Sequence, residues 1–163
     1  MPTLKDLVGR AMHGSALAVT QLHAMMPAMI HERFFEANYI NPAPNSANTR
    51  IVSVTVPHGL LGVLEGILVL TATRVDFDSL VFQVRVNGAP ILGYDSLQGP
   101  MGDTITGPYP VFVPLNSQSV VDVVVRNPTL GSFVFATGAL LGRFFPDTLP
   151  HELHALAATR GGG

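Results

Sequence analysis

The chain has 163 residues and no cysteine, and 12% of its residues are charged while 47% are hydrophobic. A chain of this length builds one domain with room for an appendage, and it buries enough surface to need no disulfide bonds. The missing cysteines exclude a disulfide scaffold, a thiolate metal site and a cysteine nucleophile. The net charge is −2 and the nine Lys and Arg are scattered singly, which argues against the basic patch of a nucleic-acid-binding protein.

The low charge calls for an explanation. The charged fraction is about half of the usual value, and the mean hydropathy is +0.37. One interpretation is a well-buried β-sandwich with a surface of Ser, Asn, Gln and Thr. The other is a surface covered by further subunits, because obligate interfaces are apolar and poor in charge. We favour the second interpretation and expect a homo-oligomer, with a trimer favoured.

Residues 1–45 are predicted to form an N-terminal arm, helical or extended, that ends in a Pro/Asn linker. Apolar residues recur from Leu4 to Leu22 at roughly helical spacing, and Pro27 should kink or end the helix. The segment 41–48 contains two Pro and three Asn, a composition typical of a linker. The β domain is therefore expected to begin at residue 46.

The arm is expected to dock on another subunit or another protein, the alternative being a helix packed on its own β domain. The uncharged stretch 11–30 is long enough to cross a membrane, but it contains His, Gln, Ser, Thr and Pro and lacks the density of Leu, Ile and Val of a typical span. The charges of Lys5, Asp6 and Arg10 argue against a signal peptide. The expected apolar anchors of the arm are Met12, Leu17, Val19, Leu22, Met25, Met26, Met29, Ile30, Phe34 and Phe35.

Residues 46–146 are predicted to form an all-β domain, an antiparallel, jelly-roll-like β-sandwich of seven to eight strands. Residues 51–57 and 80–86 alternate in period 2, as strands with one buried face do. Asn87-Gly88 is the strongest hairpin signal in the chain.

Two further features complete the predicted domain. Gly62 and Gly66 lie within one apolar run and indicate a bulge or bend. Residues 120–144 are predicted to form a long central hairpin, because two apolar runs flank the turn-forming segment 127–131. Residues 147–163 are expected to be a C-terminal tail.

A long irregular loop spans residues 95–110 and contains several Gly and Pro clusters. Loops of this length in compact domains are usually functional or interfacial. We expect this loop to meet either a ligand or a neighbouring subunit. Its candidate contact residues are Tyr94, Asp95, Asp103 and Tyr109.

The sequence contains only weak matches to motifs for metal binding or catalysis. The His-Glu-Leu-His segment at 151–154 differs from the zinc-protease motif, which needs two residues between Glu and the second His. Asp76, Asp78 and Asp103 resemble part of a calcium loop, but the Gly and distal Glu of such a loop do not follow, so turn formation is favoured. No serine lies in a nucleophile-elbow context. We predict no catalysis, no cofactor and no bound metal.

Two segments carry a resemblance to a known class: VRVNGAPI at 84–91 and FVPLNSQSVVDVVVRNPTLGSFVFATGALLGRFFP at 112–146. With an arm and a linker before them, they resemble the accessory virion proteins of tailed bacteriophages, namely capsid decoration (cement) proteins and head or neck fibre anchors. The resemblance implies oligomeric assembly on a capsid lattice and no catalytic residues.

The expected function is therefore that of a structural virion protein, assembled in the host cytoplasm, whose arm binds a capsid or anchors a fibre. Its expected partners are a major capsid, neck or fibre protein and further copies of itself, with no nucleic acid and no membrane. The alternative is a soluble β-sandwich module that binds a glycan or another ligand through Tyr94 and Tyr109. This alternative ranks second because such modules stack sugars on Trp and Tyr, and the chain has no Trp and three Tyr.

Overall fold

The computed structural model describes residues 6, 10–11, 15–25, 32–91, 93–97, 99–103 and 105–146. These residues form a sandwich of two four-stranded antiparallel sheets, preceded by a helix. The helix is α1 (Ala16–Met25), and a short 3-10 helix (Arg74–Asp78) joins the third and fourth strands. The strands are β1 (Glu32–Ile40), β2 (Ser46–Thr55), β3 (Leu60–Leu70), β4 (Val81–Val86), β5 (Ala89–Pro90), β6 (Tyr109–Leu115), β7 (Val120–Asn127) and β8 (Ala136–Pro146).

The strand order is that of a jelly roll. The first sheet has the order β1-β8-β3-β6 and the second has the order β2-β7-β4-β5. Strands that follow each other along the chain thus cross from one sheet to the other several times, as in two interleaved Greek keys. The prediction of an all-β, antiparallel, jelly-roll-like sandwich with up to eight strands is confirmed.

The core lies between the two sheets, and β7 shows how the sequence places it there. Val121, Val123 and Val125 are fully buried and belong to the core cluster. Because successive side chains of a strand point to opposite faces, Asp122 and Arg126 stand on the outer face of the second sheet. Valine suits the buried face, since β-branched side chains pack well on a pleated surface.

The first strand corrects the predicted arm. The sequence pattern places Glu32–Ile40 in the arm, whereas the structure pairs this segment with β8 from Glu32↔Phe144 to Ile40↔Ala136. Phe34 is 8% exposed and its ring stacks on Phe144 at 4.6 Å between centroids. Seven of the nine residues of β1 are exposed, so the strand carries little of the alternation that reveals a half-buried strand. The sandwich therefore starts at Glu32.

The Pro/Asn segment is a connection inside the sandwich. Residues 41–45 carry the chain from β1 in the first sheet to β2 in the second. Pro42 is buried, and Asn45 adopts the left-handed conformation with φ +50°, which asparagine tolerates better than most residues. The segment thus turns the chain between two sheets and does not divide an arm from a domain.

The predicted central hairpin over residues 120–144 is wrong. In the described part of the chain, β7 pairs with β2 and β4, and β8 pairs with β1 and β3. The two strands lie in different sheets, joined by a crossing segment at 128–135. Both runs are apolar because each is a central strand, and apolarity alone does not reveal the partner.

Two local predictions are confirmed. Asn87 and Gly88 have φ of +52° and +81° and join β4 to β5 in a two-residue hairpin. A register shift between Leu64 and Gly66 marks the bulge expected in the long apolar strand.

Candidate functional site

Two tyrosines from different segments line one cavity, which we call the tyrosine pocket. Tyr94 is half-buried in the loop after β5, and Tyr109, which begins β6, is 50% exposed. The cavity has a volume of about 490 Å³, inside the range of roughly 300–1,000 Å³ for small-molecule sites. Its other lining residues are Gly93, Leu97, Gly99, Pro100 and Met101.

The loop that forms the pocket is fastened to both sheets. The backbone N–H of Leu97 donates to Phe82 of β4 at 2.9 Å, and the N–H of Phe82 donates back at 3.3 Å. Met101 exchanges two similar bonds with Val69 of β3, at 3.0 and 3.1 Å. Since β4 and β3 belong to opposite sheets, this loop bridges the sandwich and holds one wall of the pocket in place.

Asp103 closes a small turn next to the pocket. Its Oδ1 accepts the backbone N–H groups of Ile105 at 2.7 Å and Thr106 at 2.5 Å, and its Oδ2 accepts the Thr106 hydroxyl at 2.6 Å. The backbones of Asp103 and Gly107 pair in both directions, at 3.0 and 3.1 Å. These bonds lower the pKa of Asp103 below its usual value, with the Thr106 hydroxyl as the largest cause.

Gly102 allows this turn to pack against the start of β6. Its φ is +73°, and a Cβ at this position would overlap the carbonyl oxygen of Gly107 and lie 2.8 Å from the amide nitrogen of Tyr109. A side chain is therefore excluded both by the backbone conformation and by the close contact. The contact fixes the position from which Tyr109 reaches the pocket.

The four loop residues expected from the sequence thus divide into two pairs. The structure brings Tyr94 and Tyr109 together in one cavity, whereas Asp95 is exposed and absent from its lining, and Asp103 supports the neighbouring turn. None of the described lining residues is charged. A smaller cavity of about 310 Å³ lies beyond Pro100, which lines both cavities.

The aspartates considered for calcium do not form a ligand set. Asp76 accepts the backbone N–H of Thr73 at 3.1 Å at the start of the 3-10 helix, and Asp103 serves its own turn. Within the described ranges, no group of three or more His, Cys, Asp or Glu side chains is placed to hold a metal ion. The His-Glu-Leu-His segment at 151–154 lies outside those ranges.

The expected anchors of the arm fall into three groups. Leu17 stands on α1 and is 61% exposed, Phe35 is 58% exposed, and Phe34 is buried in the sandwich core. The structure does not describe the side chains of three anchors on α1: Val19, Leu22 and Met25. Four anchors lie outside the described residues: Met12, Met26, Met29 and Ile30. No helix in the described part of the chain has the length and apolarity to cross a membrane.

An exposed aromatic group lies on β1 and beside it, and the sequence pattern singles out only one of its members, Phe35. Phe35, Tyr39 and Phe135 are each more than half exposed, and we call them the aromatic edge. The rings of Tyr39 and Phe135 lie 5.5 Å apart. Phe135 has φ +55°, a strained conformation for a bulky residue, and its N–H donates to Oδ1 of Asn41 at 3.1 Å.

A periodic signal for this edge does exist in the sequence. Phe35, Ala37 and Tyr39 recur at every second position, so they share one face of a strand. Glu36 and Asn38, between them, stand on the other face and are also exposed, although Phe34 on that same face is buried. Because apolar and polar residues are both exposed on β1, the sequence pattern does not reveal this strand.

Comparison with known proteins identifies no relative, since no family model matches the sequence and no curated protein is significantly similar to it.

Proposed function

We propose that this protein is a non-catalytic structural component of a phage virion. It binds and stabilises or decorates the capsid, or anchors a fibre, and it does so as a homo-oligomer with a trimer favoured. The observation that supports this proposal best is the open edge of the jelly roll at β1.

An open strand edge is normally protected in a monomeric protein. Edge strands are blunted by Lys or Pro, by bulges, or by a covering element, because unpaired backbone groups invite another chain to add a strand. β1 carries three charged residues, Glu32, Arg33 and Glu36, but it contains no Lys and no Pro, and it pairs with β8 over nine positions without a register shift. Within the described residues it pairs on this side alone, which leaves its other side available to a subunit.

Two residues of the aromatic edge lie on the same strand, and the third, Phe135, lies in the segment that leads into β8. Phe35 and Tyr39 project from the outer face of β1, and the strained Phe135 packs beside Tyr39. Aromatic side chains are enriched in the cores of protein interfaces, and backbone strain tends to persist at binding sites. The low charge of the chain agrees with surface covered by other subunits.

The arm supplies a second contact. α1 precedes β1, and Leu17 exposes an apolar side chain on it. An apolar helix face can dock in a groove of a partner. A major capsid, neck or fibre protein is the partner that the proposal requires, and the virion is then the location of the protein.

The test is whether the protein is part of the particle. Antibodies raised against the full chain and coupled to gold should label purified phage particles from the source culture at regular positions. The protein should also appear among the virion proteins by mass spectrometry, at a copy number that is a multiple of its oligomer size. Complete absence from washed particles that retain their other structural proteins would contradict the proposal.

Full-chain variants test the role of the arm. Leu17→Asp should abolish binding to particles that lack the protein, because it places a charge in an apolar contact. Thr20→Asp is the matched control, since Thr20 is exposed on the same helix and the substitution adds the same charge. Equal binding of both variants and the wild type would show that α1 is not the contact.

A further inference from the structure

The tyrosine pocket is formed before any ligand arrives. One wall is held by the bonds of Leu97 to Phe82 and of Met101 to Val69, and the start of β6 is set by the contact at Gly102. A site with this degree of preorganisation does not spend binding free energy on ordering its loops. This cost is the usual reason why an open loop site binds weakly.

The lining of the pocket selects a class of ligand. Tyr94 and Tyr109 are the aromatic and hydroxyl-bearing residues of the described lining, and the other described lining residues are apolar or glycine. With no charged side chain among them, the pocket offers nothing to neutralise a phosphate or a carboxylate. A pyranose ring fits this chemistry, because it has an apolar C–H face for stacking and a rim of hydroxyl groups for hydrogen bonds.

We infer that the tyrosine pocket binds a neutral sugar ring of a glycan, with the side chains of Tyr94 and Tyr109 as its stacking surfaces. This inference is independent of the proposed virion role, which depends on β1 and α1. Either one can fail without the other.

The shape of the pocket favours a compact ring over an extended peptide. Proline-rich peptides also dock on aromatic residues, but they require a continuous groove that accepts several residues in extended conformation. Here Pro100 lines both the tyrosine pocket, of about 490 Å³, and the smaller cavity with Leu70, Thr71 and Phe77, so the two cavities adjoin at this residue and a proline-rich peptide is one outcome of the test. A ring of one or two sugar units is the better match.

The first experiment presents the full chain to an array of immobilised oligosaccharides that includes neutral and sialylated glycans. Retention of the protein on neutral glycans is the expected result. The methyl glycoside of the strongest terminal sugar is then titrated in solution by calorimetry and by tyrosine absorbance. The absorbance is informative because the chain has no Trp and only three Tyr, two of which line the pocket.

Three matched variants assign the site. Tyr94→Ala and Tyr109→Ala should each weaken binding of the methyl glycoside by about tenfold, the size of one aromatic stacking contact. Tyr39→Ala removes the third tyrosine, which is 57% exposed on β1 and outside the pocket. The affinity of the Tyr39→Ala variant for the methyl glycoside should equal that of the wild type.

A fourth variant guards against loss of folding. A Cβ on Gly99 meets no atom within 4 Å, so Gly99→Leu should fold normally and obstruct the pocket. Loss of glycan binding in this variant, with an unchanged unfolding midpoint, supports the inference. Three results would overturn it: no neutral glycan retained at millimolar concentration, binding that survives all pocket substitutions, or preference for a proline-rich peptide or a sialylated glycan.

Discussion

Arg85 and Asp122 form a two-point ion pair between neighbouring strands of the second sheet. Nε of Arg85 donates to Oδ1 of Asp122 at 2.8 Å, and Nη2 donates to Oδ2 at 3.0 Å. Asp122 is 3% exposed, and Nε of Arg50 lies 3.4 Å from its Oδ2. The hydrogen bond to Asp122 is the main cause that raises the pKa of Arg85. The carboxylate of β7 thus holds an arginine from the strand on each side and fixes the register of three strands.

Removing the carboxylate of Asp122 should lower the free energy of unfolding. Asp122→Ala removes the partner of Arg85, whose side chain is 20% exposed, whereas the side chain of Arg50 is 59% exposed and stays in water, so we expect a loss of about 2 kcal/mol in the free energy of unfolding. The control is Glu65→Ala, because Glu65 pairs with Arg143 at 2.8 Å while both side chains are 23% exposed. That pair should contribute less than about 1 kcal/mol. Urea denaturation measures both, and equal losses would contradict the assigned role of Asp122.

Asn127 is a second buried polar contact with a predictable effect. Its Nδ2 donates to the carbonyls of Ala43 at 3.0 Å and Gly131 at 2.8 Å, and its Oδ1 accepts the N–H and hydroxyl of Thr129. Asn127→Asp removes both donors without changing shape, and it should cost about 2–3 kcal/mol at neutral pH. Asn48→Asp, at an exposed position, should stay within about 0.5 kcal/mol. A tolerated Asn127→Asp would show that the two sheet crossings are held by other contacts.

Two adjacent phenylalanines should behave oppositely. Phe34→Ala removes a buried ring that stacks on Phe144 and should lower the free energy of unfolding by about 3 kcal/mol. In a thermal melt this corresponds to a decrease in Tm of about 9 °C. Phe35→Ala removes a ring that is 58% exposed and should change stability by less than about 1 kcal/mol. Similar melting temperatures for the two variants would contradict the opposite burial of Phe34 and Phe35.

Self-association through β1 can be tested by introducing a charged residue into this edge strand. Ala37→Lys places a lysine in the middle of the exposed strand, where lysine discourages strand addition. Light scattering should show an oligomer of the 17.3 kDa chain for the wild type and a smaller mass for this variant. Ala89→Lys makes the same change on β5, an edge of the other sheet, and should keep the wild-type mass. A wild-type monomer at every concentration would remove the support that the open edge gives to assembly.

The turn at Asp103 should respond to acid. Because the pKa of Asp103 is lowered in the folded protein, the turn is stabilised above the unfolded value of about 4. This stabilisation is lost as the pH falls through the lower, folded-state pKa. Thr106→Val removes the hydroxyl that is the largest cause, so the pKa should rise toward normal when followed by carboxyl NMR. Ile105→Ala keeps the backbone donor and should leave the pKa unchanged, and an equal shift in both variants would refute the assignment.

The sequence predicts well those features that depend on neighbouring residues. Asn87-Gly88 gives a hairpin because its two residues accept positive φ, and the bulge near Gly66 follows from a glycine in an apolar strand. The pairing of β7 and β8 depends on strands far along the chain, and no local turn reveals it. β1 was not predicted because Phe34 is its one buried residue, so this edge strand shows little alternation of apolar and polar residues.

The candidate site was found only in part for a similar reason. Tyr94 and Tyr109 border one loop, so their meeting in one cavity follows from the closure of that loop. Asp95 and Asp103 lie in the same loop, but the sequence does not show that one is merely exposed and the other hydrogen-bonded within its own turn. The contact of Tyr39 with Phe135 joins segments nearly a hundred residues apart and depends on the register of β1 with β8.

The loop residues Leu97, bonded to β4, and Met101, bonded to β3, determine how fast a ligand could associate. A hinged lid would have to open before a ligand could enter, and its opening rate would limit association. Leu97 and Met101 have no such freedom, since swinging them away would break backbone bonds to both sheets at once. A ligand therefore meets a rigid receptor, and its association should follow a single exponential whose rate rises linearly with ligand concentration, without the plateau that a conformational gate imposes.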